Sequence, residues 1–74
     1  MKQLKPNCKK MVGKLCEVFD IEANLPNCIV KIISLNSSRE YEVKVTSVFE
    51  RCYWITVGYE AHISDVEYYY VIEE

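Results

Sequence analysis

Residues 40–47 read EYEVKVTS, with Tyr41, Val43 and Val45 alternating against Glu40, Glu42, Lys44 and Thr46. A period of two puts successive side chains on opposite faces of a strand, so this segment predicts one buried and one wetted face. A helix would spread the same valines around its circumference. Just upstream, Cys28–Leu35 reads CIVKIISL, rich in the β-branched residues that suit a pleated surface. Both of its phases carry apolar groups, which predicts a central strand or one that curls between two faces. Asn36-Ser37-Ser38-Arg39 between the two runs predicts a hairpin turn, because short polar side chains there bond back to their own backbone.

The remaining elements are shorter. Lys14–Phe19 predicts a first strand with Cys16 and Val18 on one face, entered through Gly13, where the absence of a side chain eases a tight bend. Asp20–Asn27 is a connection in which DIEANL could form one short helical turn, with Pro26 ending anything longer. Arg51–Val57 predicts a fourth strand, with Tyr53, Ile55 and Val57 inward and Cys52, Trp54 and Thr56 on the other row. Gly58 breaks that pattern. Tyr59–Glu67 reads as a loop and a short helical turn, capped reciprocally by Ser64 and Glu67, with Ile63 and Val66 plugging one end of the fold. Glu67–Ile72 is the last strand. Residues 1–11 are expected to be a flexible basic arm, and 12–74 a single domain.

A chain of 74 residues buries only ~60% of the surface its unfolded state exposes. A flat five-stranded sheet would leave one apolar face wet and two edges free, whereas curling buries that face without helices. The expected fold class is therefore all-β, a small five-stranded barrel. The order of GKLCEV, the long hairpin CIVKIISLNSSREYEVKV, the strand CYWITV and the turn HISDVEYY into a last strand resembles the SH3-like barrel of small bacterial and mobile-element proteins. The acidic opening and the paired Trp and Pro of the peptide-binding members have no counterpart here, so proline-rich ligands are not implied. An OB-like barrel is the main rival, followed by a domain of two β-layers that dimerises.

Charge is unevenly placed: Met1–Lys14 carries +5 and the remainder −7, for a net −2. A basic arm thus precedes an acidic body. No run of about 18 apolar residues is present, so no membrane contact is expected. The amino terminus has no apolar stretch behind its lysines, and a cytoplasmic location is expected. Cys8, Cys16, Cys28 and Cys52 lack close metal-ligand spacing, and Cys16, Cys28 and Cys52 sit in strand patterns as small hydrophobes. His62 neighbours Ser64 and Asp65, but adjacent turn positions rarely converge on one substrate point, and no nucleophile elbow or glycine-rich loop accompanies them. No enzyme activity and no cofactor are expected.

Six tyrosines and one tryptophan are the informative surplus. Tyr68, Tyr69 and Tyr70 are consecutive, so in a strand they cannot all face inward. Trp54, Tyr59, Tyr68, Tyr69 and Tyr70 are the candidate contacts of a non-catalytic protein-binding module, a small regulator or inhibitor of a partner protein. The alternative is a nucleic-acid binder in which Lys9, Lys10, Lys14, Arg39 and Arg51 meet phosphate while Tyr53 or Trp54 stacks on bases. A homodimer through an exposed C-terminal edge strand is compatible with either.

Overall fold

The computed structural model describes residues 2–19, 28–49 and 56–72. They form an all-β fold, a single antiparallel sheet of six strands rather than five. The strands are β1 (Lys2–Gln3), β2 (Leu15–Val18), β3 (Cys28–Leu35), β4 (Tyr41–Val48), β5 (Glu60–Ile63) and β6 (Tyr69–Val71), in the spatial order β1-β6-β2-β3-β4-β5. The sheet is open: among the described residues β1 and β5 each have one paired neighbour. The second strand matches its sequence-based bounds, and the first, third and last differ from theirs by one or two residues at each end. The expected strand over Arg51–Val57 and the connection Asp20–Asn27 lie outside the described residues, apart from Thr56 and Val57, which belong to a turn.

Four sequence expectations need correction. Tyr59–Glu67 contains the strand β5, paired to β4 from Lys44↔Glu60 to Tyr41↔Ile63. Its four residues are too few for periodicity to reveal. The expected Ser64–Glu67 cap is replaced by Asp65, whose Oδ1 accepts the Glu67 N–H at 2.9 Å in an Asx turn. The C-terminal strand is not an edge, because β6 lies between β1 and β2. Residues 1–11, expected as a loose arm, supply β1 and the buried Leu4, whose N–H donates to the Tyr69 carbonyl at 2.7 Å.

The core is the inner row of the sheet: Cys16 and Val18 of β2, Cys28, Val30 and Ile32 of β3, Tyr41, Val43 and Val45 of β4, with Leu4, Ile63 and Tyr69. Two register shifts keep this row continuous along the β3–β4 hairpin. Ile29 faces Ser47 and Val30 faces Val45, leaving Thr46 unmatched; Ile32 faces Val43 and Ser34 faces Glu42, leaving Ile33 unmatched. Each bulge turns two successive residues outward and restores the inward phase beyond it, so Leu35 and Val48 still pack on the core. That is why Leu35, out of phase with Cys28, Val30 and Ile32, is apolar. The Thr46 hydroxyl donates to the Ile29 carbonyl at 3.2 Å, holding one bulge.

Three turns share one bond pattern. In Met11-Val12-Gly13-Lys14 the Lys14 N–H donates to the Met11 carbonyl, Val12 sits at φ −59°, ψ 131° and Gly13 at φ +89°, the angles of a type II turn. Gly13 N–H then donates to Ile32 C=O, and Ile32 N–H to Lys14 C=O, forming a bulge whose first residue is left-handed. Thr56-Val57-Gly58-Tyr59 repeats these bonds around Val45, with Gly58 at φ +95°. Gly58, a break in the sequence pattern, thus launches β5. In the β3–β4 loop the same bulge closes on Asn36, but the left-handed residue is Arg39 at φ +63°. Asn36 Oδ1 accepts the N–H groups of Ser38 and Glu40 at 2.9 and 3.0 Å.

Tyr41 ties the amino-terminal segment to this frame. Its ring is buried and its hydroxyl reaches the turn Lys5-Pro6-Asn7-Cys8, in which Asn7 takes φ +51°. The hydroxyl accepts the Cys8 N–H at 2.8 Å and donates to the Lys5 carbonyl, bridging the two groups that a closed turn would join directly.

Two predictions follow from this frame. Arg39→Gly removes a left-handed side chain from an exposed turn and should stabilise the fold by about 0.5–1 kcal/mol, whereas Gly58→Ala should cost about 1 kcal/mol. No heavy atom lies within 4 Å of the added Cβ at Gly58, so its cost is conformational. Thermal melts of the two variants should move in opposite directions. Tyr41→Phe leaves the Lys5 and Cys8 groups unbridged and should lose roughly 1–3 kcal/mol in urea unfolding, with faster hydrogen exchange at Cys8.

Candidate functional site

The outward face of β3, β4 and β5 is polar and paired across strands. Ser34, Glu42 and His62 lie in one row, with Ser34↔Glu42 and Glu42↔His62 as register partners. The Ser34 hydroxyl donates to Glu42 Oε2, and His62 Nε2 lies 3.4 Å from Glu42 Oε1. The carboxylate is therefore the hub. A nucleophilic triad needs the imidazole between hydroxyl and carboxylate, and this order differs from it. His62 thus faces Glu42 across the sheet, while Asp65 is engaged in its own turn. Beside the row an open groove of ≈ 390 Å³ is lined by Ile33, Glu42, Val43, Glu60, Ala61 and His62. Ile33, turned outward by its bulge, is 47% exposed there.

Among the described residues the other exposed large apolar groups are Val12, 43% exposed, and three more. Phe49, Val57 and Tyr59 are 58%, 67% and 43% exposed. Phe49 directly follows β4, Tyr59 directly precedes β5 and Val57 lies in the turn just before it, so all three belong to one end of the β4–β5 pair. The Val57-Gly58 turn projects a valine at a position where its side chain contributes nothing to the core. Tyr59 was among the sequence-based contact candidates. Phe49 and Val57 were not, because the first resembles a turn residue and the second the end of an apolar strand.

The other tyrosine candidates divide. Tyr69 is buried, 5% exposed, and belongs to the core, which corrects its assignment as a contact. Tyr70 is half-buried and packs edge-on against Phe19, ring centroids 5.1 Å apart at 89°. Tyr68 is half-buried and its carbonyl accepts the Phe19 N–H at 3.0 Å. Trp54, Tyr53 and Arg51 lie outside the described residues.

Lys9 and Lys10 are exposed on a single 3-10 turn, Lys9–Met11, that packs on β3, and Lys14 is exposed at the following turn. The exposed Lys31 and Lys44, absent from the sequence-based set, face one another across β3 and β4. Glu60 stands opposite Lys44 on the other side, so the cations are interrupted by acids. Arg39 is exposed on the β3–β4 loop.

Cys8, Cys16 and Cys28 are free thiols. Burial pushes the Cys16 and Cys28 thiols up to about 11, and burial likewise raises the phenols of Tyr69 and Tyr41. Among the described residues, no helix is long and apolar enough to cross a membrane. The chain matches no family model, no curated protein and no solved structure.

The raised thiols set a pH dependence. Below about pH 8 the thiols are largely protonated in both states and contribute little slope. Between 9 and 11 the unfolded chain loses protons that the folded chain keeps, so stability falls as pH rises. The fall approaches about 1.4 kcal/mol per pH unit for each thiol. Urea unfolding at stepped pH should show this loss, and Cys28→Ala should flatten it while lowering stability at neutral pH.

Proposed function

We propose that this chain is a non-catalytic protein-binding module that grips its partner through the apolar end of β4–β5. The observation that carries this reading is the trio Phe49, Val57 and Tyr59, three large apolar side chains left in solvent by a fold with few to spare. Aromatic and aliphatic groups gathered at one exposed end are the material of binding hot spots. The intervening sequence adds Tyr53 and Trp54 to the same connection.

The frame supports a small SH3-like barrel as the carrier. Strands β2 to β5 follow one another in space, and the last strand returns beside β2, the order of a sheet that winds back on itself. The two β3–β4 bulges supply the bending that such winding requires. The acidic balance of the body favours a partner with a basic surface.

A nucleic-acid reading draws on Lys9, Lys10 and Lys14 together with the facing pair Lys31 and Lys44, since like charges opposite one another are tolerated where an anion sits between them. Glu60 and Glu42 on the same face weigh against it.

Affinity capture from native lysate with nuclease present identifies the partner, and binding is then measured with purified components. Phe49→Ser with Val57→Ser should weaken the complex by roughly 2 kcal/mol or more, some thirtyfold in Kd, with the thermal midpoint unchanged. Ile33→Ser on the groove is the control. Undiminished binding by the double variant refutes the assigned surface. Capture that vanishes with nuclease, and affinity that falls steeply with salt and with Lys9→Glu and Lys10→Glu, moves the assignment to nucleic acid.

A further inference from the structure

We infer that β5 is a self-complementary edge through which two copies of this chain pair antiparallel about a two-fold axis at Ala61. Among the described residues β5 pairs with β4 alone. Val45 N–H donates to the Tyr59 carbonyl at 2.8 Å, which turns Tyr59 toward β4. Alternation along an antiparallel ladder then directs the polar groups of Ala61 and Ile63 to β4 and those of Glu60 and His62 away from it. Pairing those outward groups between copies puts Glu60 opposite the partner's His62, and the symmetry repeats the contact.

Both faces of this register match. On the polar face, each exposed carboxylate of Glu60 meets an exposed imidazole of the partner's His62. On the inner face, Tyr59, 43% exposed, lies opposite the partner's Ile63, an aromatic and β-branched pair of the kind that stabilises neighbouring strands. Ala61 meets the partner's Ala61 on the axis, where the small side chain lets the strands close. Moving the axis to Glu60 or to His62 keeps the backbone pairing but sets like residues opposite one another. The short strand makes this a weak, concentration-dependent dimer.

The test uses the full chain. Sedimentation velocity over a concentration series should show a monomer–dimer equilibrium. Glu60→His alone sets imidazoles against imidazoles, and His62→Glu alone sets carboxylates against carboxylates; each should dimerise several-fold more weakly than the native chain, with unchanged circular dichroism. Mixing the two variants restores both opposite pairs and should yield a heterodimer. Ala61→Cys, in a chain also carrying Cys8→Ser and Cys52→Ser, should cross-link to itself on mild oxidation, since directly opposed non-hydrogen-bonded residues sit about 4.5 Å apart at Cα. A chain that stays monomeric at its highest soluble concentration overturns the inference. So does a dimer that is indifferent to both charge variants, which would assign self-association to the Phe49–Val57–Tyr59 end instead.

Discussion

The β3–β4 ladder is the contact on which the rest of the structure depends. It joins the two longest strands and supplies six of the core side chains, Cys28, Val30 and Ile32 against Tyr41, Val43 and Val45. Its particular feature is the pair of unmatched residues, Thr46 on β4 and Ile33 on β3. Without them a strict period of two would carry Leu35 and Val48 to the solvent face. With them the inner row extends from Leu35–Tyr41 to Cys28–Val48, and each strand bends where its extra residue sits. Bending gives a short chain a way to wrap a one-sided sheet around its own apolar face.

Around that ladder the chain is placed by economical local chemistry. Both glycines perform the same task, closing a turn and aligning the following strand against Ile32 or Val45. The Tyr41 hydroxyl then joins the amino-terminal turn to the core, so that Leu4 fills the inner row and β1 covers β6. A basic segment that carries most of the positive charge is thereby made part of the sheet. This placement joins electrostatics to packing: the lysines remain in water while the backbone between them pairs.

The exposed surface is organised in two regions of different character. The middle of β3, β4 and β5 carries small polar contacts centred on Glu42, beside a row in which Lys31 and Lys44 are followed by Glu60. The end beyond β4 and before β5 is apolar and unshielded at Phe49, Val57 and Tyr59. Desolvating the first region would break existing pairs, whereas covering the second would release water from apolar surface. That contrast directs the functional reading to the end of the hairpin rather than to its polar face.

The all-β class, strand β3, the inward phase of β4, the polar hairpin turn and the burial of Cys16 and Cys28 were legible in the sequence, because each rests on period-two patterning or on turn chemistry within a few residues. Strand β5 and β1 were not. EAHI and KQ are too short to carry a period, and both exist because a longer neighbour offers them a ladder. The same limit explains the tyrosines: three in a row state that their faces must differ, but only pairing with β2 and β1 buries Tyr69, sets Tyr70 against Phe19, and removes β6 from the edge. Local sequence thus determined which of the longer segments are strands and which of their faces is apolar. Tertiary structure decided the register, the two bulges and the identity of the edges, because those depend on hydrogen bonds between residues far apart in the chain, which no local window contains.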